Sequence, residues 1–368
     1  MEKVILDTDM VDGFDDGVAL LMLEKASNVD LLGISIVAGN TTRERATASA
    51  IRQLEIINSS TPIYIGSGVP LIKNRYSKEH FKREEELSLK INYAGYLKKY
   101  IDSNYSEKNN SIELYKEVYK ATYKKECTYK NVFHEKNKDK ENNKFSIDFM
   151  ISEVNKYPNE ITLIAIGPLT NIAKAIERDK TFSTKVKRIV YMGGAFYCKG
   201  NATKNSEFNW WVDPHAAKIC LNSKWGKRDT NDGVKFNNQI IFGLEVTEHT
   251  SAIPQAIYEK ILNTTYKEFR EILLKNTGER APKNIWDIFA ASYVIDNDIL
   301  ISANNERESS SKEEGVYVDI NTTLDKNFAK AYITNKKENP KAQKALIANY
   351  VDEKLLFNEI LYPLLKAK

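Results

Sequence analysis

Apolar and polar positions along this chain fall into two alternating kinds of segment. Short runs rich in β-branched and other apolar residues, at 4–9, 30–38, 62–65, 161–166 and 187–192, have the pattern of strands covered on both faces. Between them lie longer segments whose apolar positions recur at helical spacing. Val18, Leu21, Met22 and Leu23 form such a stripe and predict a helix from residue 15 to about residue 26. An Ala-rich helix is expected to run to about residue 58, with others from residue 146, from Gly167-Pro168 with the proline at its start, after residue 214, and over 284–294 with Trp286 and Asp287 in its first turn. Further strands are expected at 239–244, 316–320 and 329–333, then a closing helix from about residue 348. Strands alternating with helices predict an α/β fold: an open, mostly parallel central sheet with helices on both faces and a site at the carboxyl ends of the strands.

The rhythm breaks twice. Residues 66–89 read as a loop carrying Tyr76, His80 and Phe81 and then an acidic run, a candidate flap over the site. Residues 92–144 are polar, rich in Lys, Asn, Glu and Tyr, with helical spacing near 112–123 and a low-complexity tail at 135–144. They read as a solvated insertion, partly helical and partly disordered, within a single domain spanning 1–368.

With 368 residues, 42% of them hydrophobic, the chain can bury a core of that size. The 54 Lys and Arg nearly balance the 50 Asp and Glu, and a net charge of +4 gives no reason to expect nucleic acid or a membrane as partner. Cys127, Cys198 and Cys220 are far apart and odd in number, so neither a disulfide framework nor a thiolate zinc site is expected. Met1-Glu2-Lys3 leads straight into a strand, and no apolar run is long enough to span a bilayer. A cytoplasmic protein is expected.

The chemistry concentrates at the first strand-to-helix corner, where Asp7, Asp9, Asp12, Asp15 and Asp16 crowd together. Packed carboxylates repel one another, and a hard divalent cation between them relieves the repulsion. Neighbouring helical residues project about 100° apart, so Asp15 and Asp16 should do different work, one on metal and one on a substrate hydroxyl. Asp213-Pro214 reads as an N-cap followed by proline at the first helical position. Asp7-Thr8-Asp9 also fits the nucleophile motif of haloacid-dehalogenase-type phosphatases. That reading needs a late Gly-Asp or Asp-Asp pair, and none follows residue 16.

The opening stretch resembles the Asp-rich N-terminal motif of nucleoside hydrolases, the inosine/uridine-preferring superfamily. So do Val37-Ala38-Gly39-Asn40, Ile166-Gly167-Pro168-Leu169-Thr170-Asn171, Met192-Gly193-Gly194-Ala195, Glu207-Phe208-Asn209 with Asp213-Pro214, and Trp286-Asp287, in the family's order. The resemblance implies that Asp9, Asp16 and Asp287, with the backbone carbonyl of Ile166, hold Ca²⁺. It implies that Asp15, Asn40, Asn201, Glu207, Asn209 and Asp287 bind ribose hydroxyls, and that Asp9 takes the proton of a calcium-activated water attacking ribose C1′. Trp286 stands where the nonspecific branch has a histidine, which resembles the purine-specific branch, where two aromatic rings sandwich the base. His80 or Phe81 from the flap would supply the second ring. A homodimer or homotetramer is implied too, and a non-catalytic nucleoside-binding homologue is the other reading. In one respect the chain departs from the commonest family spacing: Asp15 and Asp16 lie six and seven residues after Asp9 instead of four and five. Asp12 is left without a role.

Overall fold

The computed structural model describes residues 1–12, 15–72, 114–133, 145–226, 238–248, 252–301 and 315–367. The opening run forms β1 (Glu2–Thr8), followed by α1 (Asp15–Lys25). Successive strand residues point to opposite faces, so Val4 and Leu6 join one core with α1 while Ile5 joins the other. All three are fully buried, the reason β1 reads as an unbroken apolar run. The unit repeats as β2 (Val29–Ile36), α2 (Arg43–Ile56), capped by the Thr42 side chain, and β3 (Ile63–Ile65). Then come α3 (Leu114–Tyr123), β4 (Val132–Phe133), α4 (Ser146–Lys156), β5 (Ile161–Ala165), α5 (Thr170–Arg178) and β6 (Arg188–Met192). A long loop, α6 (Phe208–Val212) and α7 (Pro214–Leu221) lead to β7 (Gln239–Phe242). Two helices, Gln255–Thr264 and Lys267–Thr277, and then α8 (Ile288–Ile295) precede β8 (Val316–Ile320), β9 (Ala331–Ile333) and β10 (Gln343–Ile347).

The described strands form one sheet in the order β4-β3-β2-β1-β5-β6-β7-β10-β8-β9. It is parallel from β4 through β10, and β8 and β9 extend it antiparallel. Strand numbers climb away from β1 on one side and away from β5 on the other. This reversal is a topological switch point, where a crevice opens beyond the carboxyl ends of the strands. Asp9 and Ile166 stand just past the ends of β1 and β5.

Several sequence expectations are corrected. The chain end does not turn helical at residue 348: Gln343–Ile347 is a strand between β7 and β8, and helical structure resumes near Leu355. Gln343–Ile347 carries no expectation from sequence, because its apolar residues Ala345, Leu346 and Ile347 are too few to show a period, and pairing with β7 makes it a strand. The described part of the insertion is no solvated excursion. Tyr115 and Tyr119 of α3 are buried, the Tyr119 hydroxyl donates to Glu55 on α2, and β4 pairs with β3 at the sheet edge. Trp286 and Asp287 precede α8 instead of forming its first turn, with Asp287 as N-cap. Pro168 likewise stops short of α5, which begins at Thr170. His80, Phe81 and the low-complexity tail lie outside the described residues. Among the described residues no helix is long and apolar enough to cross a membrane.

Candidate active site

Strand alternation aims Thr8 at α1, where its hydroxyl donates to Asp16 Oδ1 at 2.5 Å. Asp9 Oδ2 accepts the Asn40 backbone N–H at 2.5 Å, and Asn40 Nδ2 donates to Asp16 Oδ2 at 3.2 Å. The Asp9 carboxylate is slotted between the exits of β2 and β5. A Cβ at Gly39 would lie 2.1 Å from Asp9 Oδ2, and one at Gly167 would lie 2.9 Å from Asp9 Oδ1. Only glycine leaves room for the carboxylate at these two motif positions. Asp15 faces elsewhere: its Oδ1 accepts the backbone N–H groups of Trp286 at 2.8 Å and Asp287 at 2.7 Å. That carboxylate fastens the segment before α8 onto the corner.

The opposite wall is built by α6. Glu207 caps it, with Oε1 accepting from Asn209 N at 2.6 Å and Oε2 from Trp210 N at 3.1 Å and Gly194 N at 3.0 Å. Asn209 Nδ2 donates to the carbonyls of Ile166 at 3.1 Å and Met192 at 3.2 Å, and Asn201 Oδ1 accepts from Phe208 N at 2.9 Å. Asp213 caps α7 through Ala216 N at 3.0 Å, as its sequence context predicts.

These walls enclose a cavity of ≈ 290 Å³. Asp15, Asn40, Ile166, Asn201, Glu207, Asn209, Trp286 and Asp287 line it, so most of the expected site residues come together. Asp9 and Asp16 are not in its lining and are fully buried. Val11, Met192, Phe208, Glu248 and Asn284 line it as well and were not foreseen. All but Glu248 adjoin motif residues; its only signal was a place beyond the carboxyl end of β7. Asp7, the nucleophile of the phosphatase reading, does not line the cavity. It is buried, accepting hydrogen bonds from Ser35 Oγ and, at 2.9 Å, from Asn171 Nδ2.

Burial is the main cause pushing the carboxyls of Asp9, Asp15, Asp16, Glu207 and Asp287 upward, because the charged form loses its hydration. Asp16 rises to about 6 and Glu207 to about 7. Asp9, Asp15 and Asp287 rise well above the ordinary range, by burial first and then by the charge of neighbouring aspartates. No lysine or arginine lines the cavity among the described residues to offset them. Asp9 Oδ1 is buried with no hydrogen-bond partner, an uncommon state for a buried polar atom. Hard oxygens, mutual repulsion and an unsatisfied carboxylate oxygen fit a divalent cation such as Ca²⁺. No group of three or more His, Cys, Asp or Glu among the described residues forms a ready metal cage. Thr8 and Asn40 each donate to one oxygen of Asp16, and each oxygen keeps a further lone pair for an ion.

Known proteins are similar to this chain in sequence and in fold. A rice protein (Oryza sativa subsp. japonica) described as probable uridine nucleosidase 1 is 29% identical over 242 residues, 66% of this chain and 61% of its own length. The chain thus spans about three fifths of that relative. The pyrimidine-specific ribonucleoside hydrolase RihB of Escherichia coli O17:K52:H18 is 26% identical over 328 residues, 87% of this chain and 84% of its own. The solved purine-preferring ribonucleoside hydrolase from Gardnerella vaginalis shares the fold, with a TM-score of 0.68 at 18% identity over 99% of this chain and 98% of its own. The family model for inosine-uridine preferring nucleoside hydrolases matches residues 4–358, from the first strand into the terminal helix. The chain therefore belongs to the inosine-uridine preferring nucleoside hydrolase family.

Proposed function

We propose that this protein hydrolyses the N-glycosidic bond of ribonucleosides, purine nucleosides in preference, to free base and ribose, with Ca²⁺ bound at the Asp9 corner. The observation that carries the reading is the single cavity into which the corner, Asn40, the α6 wall and the Trp286-Asp287 segment converge. Asp9, Asp16, Asp287 and the Ile166 carbonyl would hold the ion. That carbonyl accepts one hydrogen bond from Asn209 and keeps a second lone pair. The bound cation would supply Lewis acidity, lowering the pKa of a water in the cavity.

The chain's own residues do the rest. Asp9 Oδ1 has no other partner and is the atom that accepts the water's proton. Asp15 spends Oδ1 on two backbone amides and presents Oδ2 to a ribose hydroxyl. Asn209 commits Nδ2 to two carbonyls and offers Oδ1, while Glu207 Oε1 keeps an acceptor site beside its single amide. Because these groups are already fixed by backbone contacts, they orient the sugar and stabilise the positive charge that develops on it without rearranging. The Trp286 ring offers a face on which the leaving base stacks, with His80 or Phe81 as the partner ring.

The test is ribose release from inosine, adenosine, guanosine, uridine and cytidine, before and after chelation of divalent metal. Faster hydrolysis of the purine nucleosides, lost on chelation and restored by calcium, is the expected result. No ribose from any of them would refute the hydrolase reading and leave a nucleoside-binding role. A pyrimidine preference is the second reading, favoured by the named activities of the rice and E. coli relatives. Uridine hydrolysed as fast as inosine would refute the purine preference, and uridine or cytidine hydrolysed faster than the purine nucleosides would decide for this second reading.

A further inference from the structure

Two features take no part in the chemistry above: Asp12, in the long turn between β1 and α1, and the insertion that carries α3. They meet in the structure. The Tyr123 hydroxyl, at the end of α3, donates to Asp12 Oδ1, and Asn276 Nδ2 donates to the Asp12 backbone carbonyl at 2.7 Å. Asp12 is thus held from two sides by residues 111 and 264 positions away in sequence. Behind Tyr123, α3 is fastened to α2. Tyr119 is buried and bonds Glu55, Lys125 pairs with Glu55 at 2.8 Å, and the Arg52 guanidinium lies 5.9 Å from the centroid of the Tyr123 ring. Burial and the neighbouring Asp12 carboxylate push the Tyr123 phenol upward, so it remains a protonated donor.

We propose that Tyr123 is a positioning residue: through Asp12, α3 braces the turn between β1 and α1 and fixes the wall of the nucleoside cavity that Val11 supplies. Val11 lines the cavity and is the chain neighbour of Asp12. Both ends of the turn have their own anchors, Asp9 on the Asn40 amide and Asp15 on the Trp286 and Asp287 amides. Between them, among the described residues, hydrogen bonds from Tyr123 and Asn276 hold Asp12. Releasing the brace therefore loosens the substrate wall and leaves the metal carboxylates in place. The inference rests on the hydrolase reading.

The experiment compares full-length wild type, Tyr123→Phe, Asp12→Ala, Asp12→Asn and the Tyr123→Phe/Asp12→Ala double variant. Steady-state kinetics on a hydrolysed nucleoside and hydrogen exchange of the peptide spanning the turn are the readouts. Tyr123→Phe and Asp12→Ala should each raise KM about 3- to 10-fold, the equivalent of one net hydrogen bond, with kcat within about twofold. The double variant should be no worse than either single one, because both delete the same interaction. Asp12→Asn keeps the acceptor oxygen and should match wild type, while exchange in the turn quickens in the other three variants and calcium affinity stays constant. Wild-type KM and unchanged turn exchange in Tyr123→Phe would overturn the proposal, as would additive effects in the double variant. If wild type hydrolyses no nucleoside, the functional reading fails, and the exchange measurement alone decides whether the brace exists.

Discussion

Removing the cation should turn the site from a source of stability into a pH-dependent liability. In the unfolded chain Glu207 ionises at its ordinary value of 4.5, and in the fold at about 7. Between those values the folded protein keeps a proton that the unfolded chain has released, so stability falls as pH rises through this window. At about 1.4 kcal/mol per pH unit, ionised Glu207 costs the metal-free fold roughly 3 kcal/mol at pH 8. Asp16 acts with the same sign between 3.8 and about 6, and Asp9, Asp15 and Asp287 add to it, since burial and mutual repulsion raise all three. A sum of this kind is a large share of the 5–15 kcal/mol that typically stabilises a native protein.

A cation held by Asp9, Asp16 and Asp287 would replace their protons, so calcium binding should release protons and weaken the pH dependence. The assay is urea unfolding of chelator-treated protein at pH 5, 6, 7 and 8, with and without calcium, beside titration calorimetry in two buffers of different ionisation enthalpy. Metal-free stability should fall by roughly 3 kcal/mol or more between pH 5 and 8. Calcium should stabilise strongly at pH 8 and weakly at pH 5, with protons released on binding. Metal-free stability that does not fall with pH would refute the burial argument for these carboxyls, and calcium stabilisation equal at both ends would refute the assignment of Asp9, Asp16 and Asp287 to the ion.

Asp9→Ala should lower kcat by roughly 10²- to 10⁴-fold while nucleoside binding persists in equilibrium dialysis, and near-wild-type turnover would mean that another group takes the proton. Gly39→Ala drives a methyl group to 2.1 Å from Asp9 Oδ2 and should cost about 1–3 kcal/mol in urea unfolding together with calcium affinity. Wild-type calcium binding in that variant would show that Asp9 is not held as described. With Asp15, Glu207, Glu248 and Asp287 lining the cavity and no described cationic side chain, a nucleoside 5′-monophosphate should react with kcat/KM at least about 10²-fold below its nucleoside. Added salt should narrow the gap, and equal rates on AMP and adenosine would contradict the electrostatics.

The α/β rhythm, the crowded aspartates and the ordered motifs were legible in the sequence because hydrophobic period, turn residues and carboxylate repulsion are properties of neighbours along the chain. The Asp213 cap was legible for the same reason. Gln343–Ile347 has too few apolar residues to show a period, and only pairing with a distant strand makes it a strand. Sequence placed five aspartates at one corner, and only the family resemblance gave Asp9, Asp15 and Asp16 roles there, since their hydrogen-bond partners lie far away. Tertiary structure sends Asp7 to Asn171 below the cavity, Asp9 into the slot between Gly39 and Gly167, and Asp12 to Tyr123. It sends Asp15 to amides 271 and 272 residues away and Asp16 to Thr8 and Asn40. Gly39 and Gly167 read in the sequence only as motif members, and the structure shows that the Asp9 carboxylate lies against both. Which oxygen meets which amide depends on the sheet order that sets β1 beside both β2 and β5, and on loops that cross the ends of those strands. No local periodicity carries that information, so the composition of the site was readable in one dimension and its division of labour only in three.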